Sequence, residues 1–548
     1  MNRFLMSLVM FASAHGVCTQ ASATAALAST PPNIVVILAD DMGWSDIGSY
    51  GGEIPTPHLD SLAENGLRFS NFYNSARCSP TRASLLTGLY PHQAGMGHLA
   101  TQFVKKESKG TLGILHDRAV TMAEVLNDAG YFTAMTGKWH LGFERGITPW
   151  GEGFQRSLNL PRGAIYFPNQ SMHKKDPKNF ELHLNGKAIA NDAEVLGQKD
   201  WYGTDLWTDF GIKFIKEAQQ EDKPFFLYLA HVAPHFPVMA PQKDIEQFRG
   251  KYMEGWHKIR HDRYQRQIKM GLIDKSWALT EELPEVQHWD ELPLEKQQRY
   301  DQLMAVYAAA VSRMDQSVGR LVHYLEQTDQ LDNTLILFLS DNGSSAEGGP
   351  RARMGGKGPM GGPQSNLFIG MNWATVHNTP FTLFKHFTHE GGIATPLIAH
   401  WPNGIEKSLN GTIDSTPGHV VDVMATAVDL SKSTYPKTFN GHEILPMSGA
   451  SLLPIFKGNE FKRAEPIFFE HEGNRAVRDG HWKVVSRNYQ PWELYDMTAD
   501  RTEMNNIANK YPERVKAMAV QYNEWAERSF VDSFFHEARN NWGSIAKQ

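Results

Sequence analysis

Two cysteines in 548 residues, Cys18 and Cys78, are too few for a fold stapled by disulfides. Charge of one sign is also missing. Lys and Arg number 54 against 60 Asp and Glu, a net charge of -6, and no long basic run is present, so nothing points to nucleic acid. There is no internal repeat and no low-complexity tract. The apolar run from Phe4 to Ala14 is too short to span a bilayer as a helix. What is there is ordinary for a soluble globular chain: 41% hydrophobic and 21% charged residues, long enough for one large domain and a smaller partner.

The N-terminus has the layout of a secretory signal, assigned to residues 1–28. Arg3 starts it, the apolar run follows, and Ala21-Ser22-Ala23 and Ala23-Thr24-Ala25 offer cleavage sites. A retained anchor and a lipoprotein signal are the alternatives, but His15-Gly16-Val17 before Cys18 makes a poor lipidation box. Export to the periplasm or the medium is expected. Cleavage would remove Cys18 and leave Cys78 alone, and a single thiol in an exported protein calls for a chemical reason.

Cys78 stands in Arg77-Cys78-Ser79-Pro80-Thr81-Arg82, before Ala83-Ser84-Leu85-Leu86-Thr87-Gly88. Ser79 is expected to N-cap a helix with Pro80 at its first position, and Gly88 to close it in the left-handed conformation. A helix N-terminus flanked by Arg77 and Arg82 suits a tetrahedral anion. A buried structural cysteine is the bland alternative.

Several strands read as continuous apolar runs, the pattern of parallel strands buried on both faces. Asn33 to Ala39 ends in Asp40-Asp41, and Thr334 to Leu339 leads to Ser340-Asp341-Asn342-Gly343. Two such strand ends in one crevice can close a hard-cation site for Ca²⁺ or Mg²⁺. Tyr131 to Met135 leads to Lys138 and His140, two residues apart, which extended chain would point the same way. Pro224 to Ala230 leads to His235, set between Pro234 and Pro237. Helices are expected over His58–Gly66, Thr121–Ala129, Asp205–Glu217, Gln297–Glu326 and Val420–Leu430. Residues 241–296 are expected to elaborate the domain as a pocket wall, and the Gly-rich residues 344–379 to form a mobile loop. Beyond Leu453 the pattern changes: a hairpin turns at Asp479-Gly480, Trp492–Tyr495 is a strand, and Pro512–Arg528 a last helix. The expected domains are 29–453, catalytic, and 454–548, a C-terminal α+β unit.

In order, Ala39-Asp40-Asp41-Met42-Gly43, Cys78-Ser79-Pro80-Thr81-Arg82, Gly137-Lys138-Trp139-His140-Leu141-Gly142, Ala233-Pro234-His235, Ser340-Asp341-Asn342-Gly343 and Leu494-Tyr495-Asp496 resemble the motifs of type I sulfatases, most closely bacterial arylsulfatases. The resemblance implies an α/β, alkaline-phosphatase-like fold: a mostly parallel sheet between helices, with a small C-terminal antiparallel sheet plus helix. It implies hydrolysis of sulfate monoesters, aryl sulfates above all. It also implies that a formylglycine-generating enzyme oxidises Cys78 to 3-oxoalanine. By the same resemblance one Ca²⁺ would be held by Asp40, Asp41, Asp341, Asn342 and the oxygen of converted Cys78. Lys138, His235 and Lys385 would hold the sulfate, with Lys357 a competitor for the place of Lys385. Asp341 would act as base toward the hydrated aldehyde, His235 or a lysine-polarised water would protonate the leaving alcohol, His140 would take the second proton, and Arg82 would hold the modified residue. A formylglycine-dependent phosphonate or phosphodiester hydrolase is the nearest alternative, and a non-catalytic Ca²⁺-binding protein the more distant one.

Overall fold

The structure, a computed structural model, describes residues 31–100, 108–170 and 181–531. The expected signal peptide and Cys18 lie outside these residues. The strands of the large sheet are, in chain order, β1 (Asn33–Ala39), β2 (Leu67–Tyr73), β3 (Phe132–Lys138), β4 (Arg156–Leu160), β5 (Leu182–Leu184), β6 (Lys187–Ile189), β7 (Phe225–Ala230) and β8 (Thr334–Ser340). After a hairpin of β9 (Arg353–Gly356) and β10 (Ser365–Phe368) come β11 (Ala394–His400), β12 (Ile413–Asp414) and β13 (Gly418–His419). The order across the sheet is β12-β2-β11-β8-β1-β7-β3-β4-β5-β6, with β13 also on β2. Its centre, β8-β1-β7-β3-β4, is parallel, and β11 runs antiparallel to both neighbours.

The apolar runs are buried on both faces because both faces are covered. Along β1, Val35, Ile37 and Ala39 enter one core, and Ile34, Val36 and Leu38 the other, as side-chain alternation requires. The first core is roofed by the helices Gly203–Gln220 and Leu294–Gln327, the second by Cys78–Thr87, Met122–Asp128 and Val421–Ser431. This is the expected sandwich, and it carries the C-terminal ends of β1, β3, β7 and β8 to one edge.

The C-terminal sheet is antiparallel, β16-β17-β18-β19, where β14 (Thr438–Phe439) and β15 (His442–Glu443) form an earlier two-stranded pair. Its strands are β16 (Ile467–His471), β17 (Asn474–Asp479), β18 (Trp482–Ser486) and β19 (Glu493–Asp496). Helix Pro512–Arg528 packs Met518, Tyr522 and Trp525 on one face. Phe469, Ala476 and Val485 on the other meet Tyr73, Ala76 and Ile393 of the large unit.

Three local expectations change. Helix Cys78–Thr87 begins two residues early, with Arg77 in the capping position and no side-chain cap. Ser79 Oγ instead accepts from the Ala100 N–H at 3.3 Å, so it serves a neighbouring loop. Residues 344–379 are not one long loop: they hold the β9–β10 hairpin and the helix Gly370–His377, anchored by the buried Trp373. Tyr252, Trp256 and Trp289 do not wall a pocket. They are buried, and edge-to-face ring contacts join each of them to Trp373.

Candidate active site

The parallel strands deliver the site. Asp40 and Asp41 follow β1, and Asp41 turns the chain with a φ of 66°. The Asp40 N–H donates to the Ala233 carbonyl at 3.0 Å, and the Asp41 N–H to Asp341 Oδ1 at 3.2 Å. Lys138, the last residue of β3, donates from Nζ to Asp40 Oδ2 at 2.6 Å. After β7, the His235 N–H donates to the Val232 carbonyl at 2.9 Å, and its Nε2 lies 3.5 Å from Asp41 Oδ2. Lys385 arrives from a turn before β11 and sets Nζ 2.8 Å from Asp41 Oδ1. Cys78 Sγ lies 4.0 Å from the same oxygen.

Arg82, a turn along the Cys78 helix, is fully buried and faces inward. Its Nε and Nη2 donate to Asp341 Oδ2 at 3.1 and 2.7 Å, and its Nη1 to the Lys138 carbonyl at 2.9 Å. The sequence pattern suggested a fork open to an anion, but this fork is already filled by Asp341. His140 departs from extended chain with a φ of 62°, because β3 ends at Lys138. The alternation argument therefore fails there, yet the buried ring still faces the cluster. Burial, and then Lys138 and Arg82, hold its pKa well below the usual histidine value, and its Nδ1 makes no hydrogen bond.

Burial pushes the Cys78 thiol up to about 12, more than Lys138 and Lys385 pull it down. As a plain cysteine it is a poor nucleophile at neutral pH. Burial opposes ionisation of Asp41, but His235, Lys385 and Lys138 outweigh it and hold its carboxyl well below the usual range. Burial and the neighbouring Asp40 raise Asp341 to about 6. Burial lowers His235 to about 3, so its ring is neutral at neutral pH.

The residues fit a hard divalent cation. Asp40 Oδ1 and Asn342 Oδ1 are buried oxygens without a hydrogen bond, while Asn342 Nδ2 donates to Asp41 Oδ1 at 2.7 Å. Donor atoms of Asp40, Asp41, Cys78 and His235 all lie within 4.8 Å of one another. Asp341 is outside that group, its carboxylate being taken up by Arg82 and the Asp41 N–H.

Residues 32–433 match the Sulfatase family, and residues 381–527 match N-sulphoglucosamine sulphohydrolase, C-terminal. The chain belongs to the sulfatase family. It is 33% identical to an uncharacterized sulfatase of Schizosaccharomyces pombe over 88% of this chain and 91% of that protein. It is 35% identical to the arylsulfatase of Klebsiella aerogenes over 77% of this chain and 92% of that one. Among solved structures, Ps i-CgsB in complex with k-i-k-neocarrahexaose superposes with a TM-score of 0.68 at 28% identity, covering 94% of this chain and 98% of that one.

One residue of this sulfatase's site escaped the sequence reading. Glu347 accepts from Arg77 Nη2 at 3.1 Å and lies 3.9 Å from Lys385 Nζ. With Asp41, Phe236, Val238, Tyr307 and Ile369 it lines a small, partly open cleft. Its flanking sequence carries no signal, because only the fold brings it to Arg77. Lys357, the competitor of Lys385, is exposed and extends the β9–β10 hairpin, its N–H donating to the Gln364 carbonyl.

Proposed function

We propose that this sulfatase hydrolyses aryl sulfate monoesters, using Ca²⁺ and a formylglycine derived from Cys78. The observation that carries the reading is the convergence of Cys78 with Asp40, Asp41 and His235, flanked by Lys138 and Lys385. Asp40, Asp41 and Asn342, with Asp341 beside them, would hold the cation. When present, the cation supplies Lewis-acid charge and the hydrated aldehyde supplies a hydroxyl nucleophile that can later release sulfate by C–O cleavage.

The chain's own residues do the rest. Lys138, Lys385 and His235 bind the sulfate oxygens and offset charge developing in the transition state. Asp341, raised to about 6, is placed to take a proton near neutral pH, with Arg82 fixing its orientation. His235 is placed beside the site to pass a proton to the leaving alcohol, and His140 to receive the proton of the second hydroxyl. Phe236 and Val238 in the cleft favour an apolar ring on the leaving group.

A sulfated glycan is the second reading, favoured by the oligosaccharide bound to the similar Ps i-CgsB. We further propose that the chain is exported, to the periplasm or beyond, and matured by a formylglycine-generating enzyme. No helix among the described residues is long and apolar enough to cross a membrane. Mass spectrometry of the Cys78 peptide from the native host should show the aldehyde or its hydrate, and an intact thiol would defeat the mechanism. Comparing kcat/KM on an aryl sulfate, a sulfated oligosaccharide and an aryl phosphodiester sets the substrate class. Preference for the phosphodiester would sink the sulfatase reading in favour of the phosphodiesterase alternative.

A further inference from the structure

A second cluster of metal-type ligands lies beside the active site and takes no part in the chemistry above. The turn between β16 and β17 carries His471 and Glu472, and Glu472 holds a φ of 50°. This turn meets His386, the residue after Lys385, and His98 from the loop behind the Cys78 helix. Glu472 Oε2 lies 3.4 Å from His386 Nδ1, and Glu472 Oε1 lies 3.6 Å from His471 Nε2 and 2.5 Å from His98 Nε2. Donor atoms of His386, His471 and Glu472 all lie within 4.8 Å of one another.

Two features make this more than a packed histidine pair. His471 is fully buried, and neither of its ring nitrogens has a hydrogen bond. The Glu472 side chain is 7% exposed, and its Oε2 has no hydrogen bond either. Buried polar atoms are rarely left so. Glu472 forms its ion pairs with the three histidines, while nearby Arg77 bonds directly to Glu347.

We propose that His386, His471 and Glu472 form a second metal site, for a zinc-class divalent ion, with His98 orienting the carboxylate from outside. Two imidazoles and one carboxylate are a borderline N/O donor set, suited to Zn²⁺ rather than to the all-oxygen preference of Ca²⁺. Zinc bonds of about 2.0–2.1 Å place tetrahedral donors roughly 3.4 Å apart, the separation of His386 Nδ1 from Glu472 Oε2. Burial keeps the His386 and His471 rings neutral, the state that binds metal. The ion would pin the C-terminal sheet to the Lys385–His386 turn, whose His386 N–H donates to the Ala76 carbonyl two residues before Cys78. It would thus set where Lys385 and Cys78 stand without touching substrate.

The test uses the full-length, Ca²⁺-saturated protein, stripped with dipicolinate and titrated with Co²⁺ and then Zn²⁺. The wild type should take up one equivalent of Co²⁺ with visible d–d absorption, displaced by Zn²⁺. His471→Asn should abolish that uptake, and His98→Ala should weaken it about 10- to 100-fold. If His471→Asn fails to fold, His386→Gln, at the rim of the cluster, carries the same expectation. Cys78→Ala should leave Co²⁺ uptake unchanged, which separates this site from the catalytic one. No saturable uptake in the wild type, or unchanged uptake in His386→Gln, overturns the proposal whether or not the sulfatase mechanism holds.

Discussion

Asp41 and Asp46 stand five residues apart after the same strand, and both carboxylates are buried, yet they sit in opposite kinds of surroundings. Asp46 accepts from the Gly43 N–H at 2.8 Å, the Tyr307 hydroxyl at 2.7 Å, Arg263 Nη1 at 2.8 Å, and His377 Nδ1. Arg263 in turn grips Glu53 with two bonds of 2.7 and 2.8 Å. Every charge there has fixed protein partners. Asp41 instead faces Lys385, His235 and Cys78, with two unbonded oxygens, Asp40 Oδ1 and Asn342 Oδ1, close by. A finished ionic network holds a fold together, whereas a convergence of cations around incompletely bonded oxygens is built to accept a ligand.

The strongest way to break this contrast is at the proposed nucleophile. Cys78→Ala should lower sulfate ester turnover by on the order of 10⁴-fold or more. It should barely move the thermal midpoint, since one buried sulfur is lost. Full turnover in this variant, measured under saturating aryl sulfate, would end the account.

The two aspartates can then be compared directly. Asp46→Asn should cost about 3–5 kcal/mol in urea unfolding, because it leaves Arg263 partly uncompensated in the core. The folded fraction should keep most of its activity. Asp41→Asn should do the reverse, with activity falling about 10³-fold and, when both proteins are compared without Ca²⁺, a smaller loss of stability than Asp46→Asn. Equal effects of both changes on both readouts would erase the distinction.

Lys385→Ala should lower kcat/KM about 10²- to 10³-fold, as for loss of one transition-state donor. Lys357→Ala should change it less than about twofold, since Lys357 is exposed. The reverse outcome would reassign the sulfate-binding lysine.

Chelating Ca²⁺ should lower the thermal midpoint of the wild type, because the proposed ion would bind only the folded state. The loss is about 2.7 kcal/mol when free Ca²⁺ had stood at about 100 times its Kd. Asp41→Asn should show a smaller response, and an equal one would place the ion elsewhere.

The smallest effect is on the acid limb. Burial opposes ionisation of Asp46, but His377 and Arg263 outweigh it and depress its pKa below the ordinary 3.8. Its stabilisation is therefore present above pH 3.8 and is lost as pH falls toward the depressed value. Asp46→Asn should flatten that part of the stability–pH curve, and an unchanged acid limb would show that the pairing carries no such linkage.

Much of the fold was legible because its signals are local. The two-sided apolar runs formed β1 and β8, Asp479-Gly480 turned the β17–β18 hairpin with Gly480 at a φ of 55°, and Pro512–Arg528 formed as a helix over that span. The strand ends were legible as a set, because a parallel sheet brings its C-terminal ends to one edge whatever lies between them. The misses are equally physical. A glycine-rich composition hid the β9–β10 hairpin, whose four residue pairs depend on partners ten or so residues apart. Arg82 looked available to an anion because sequence does not reveal that Asp341 fills its fork. Glu347, Arg263 and the His471–Glu472 turn carry no local pattern at all.

The sequence by itself determined the alternation of buried strands and helices, the acid-rich strand ends and the Cys78 signature, because hydrophobic period, turn chemistry and helix ends are properties of neighbouring residues. Only the tertiary structure decided which buried charges are satisfied and which stay open. A carboxylate's partners arrive from strands and loops hundreds of residues away, so its role as a strut or as a site is fixed by the company that folding brings.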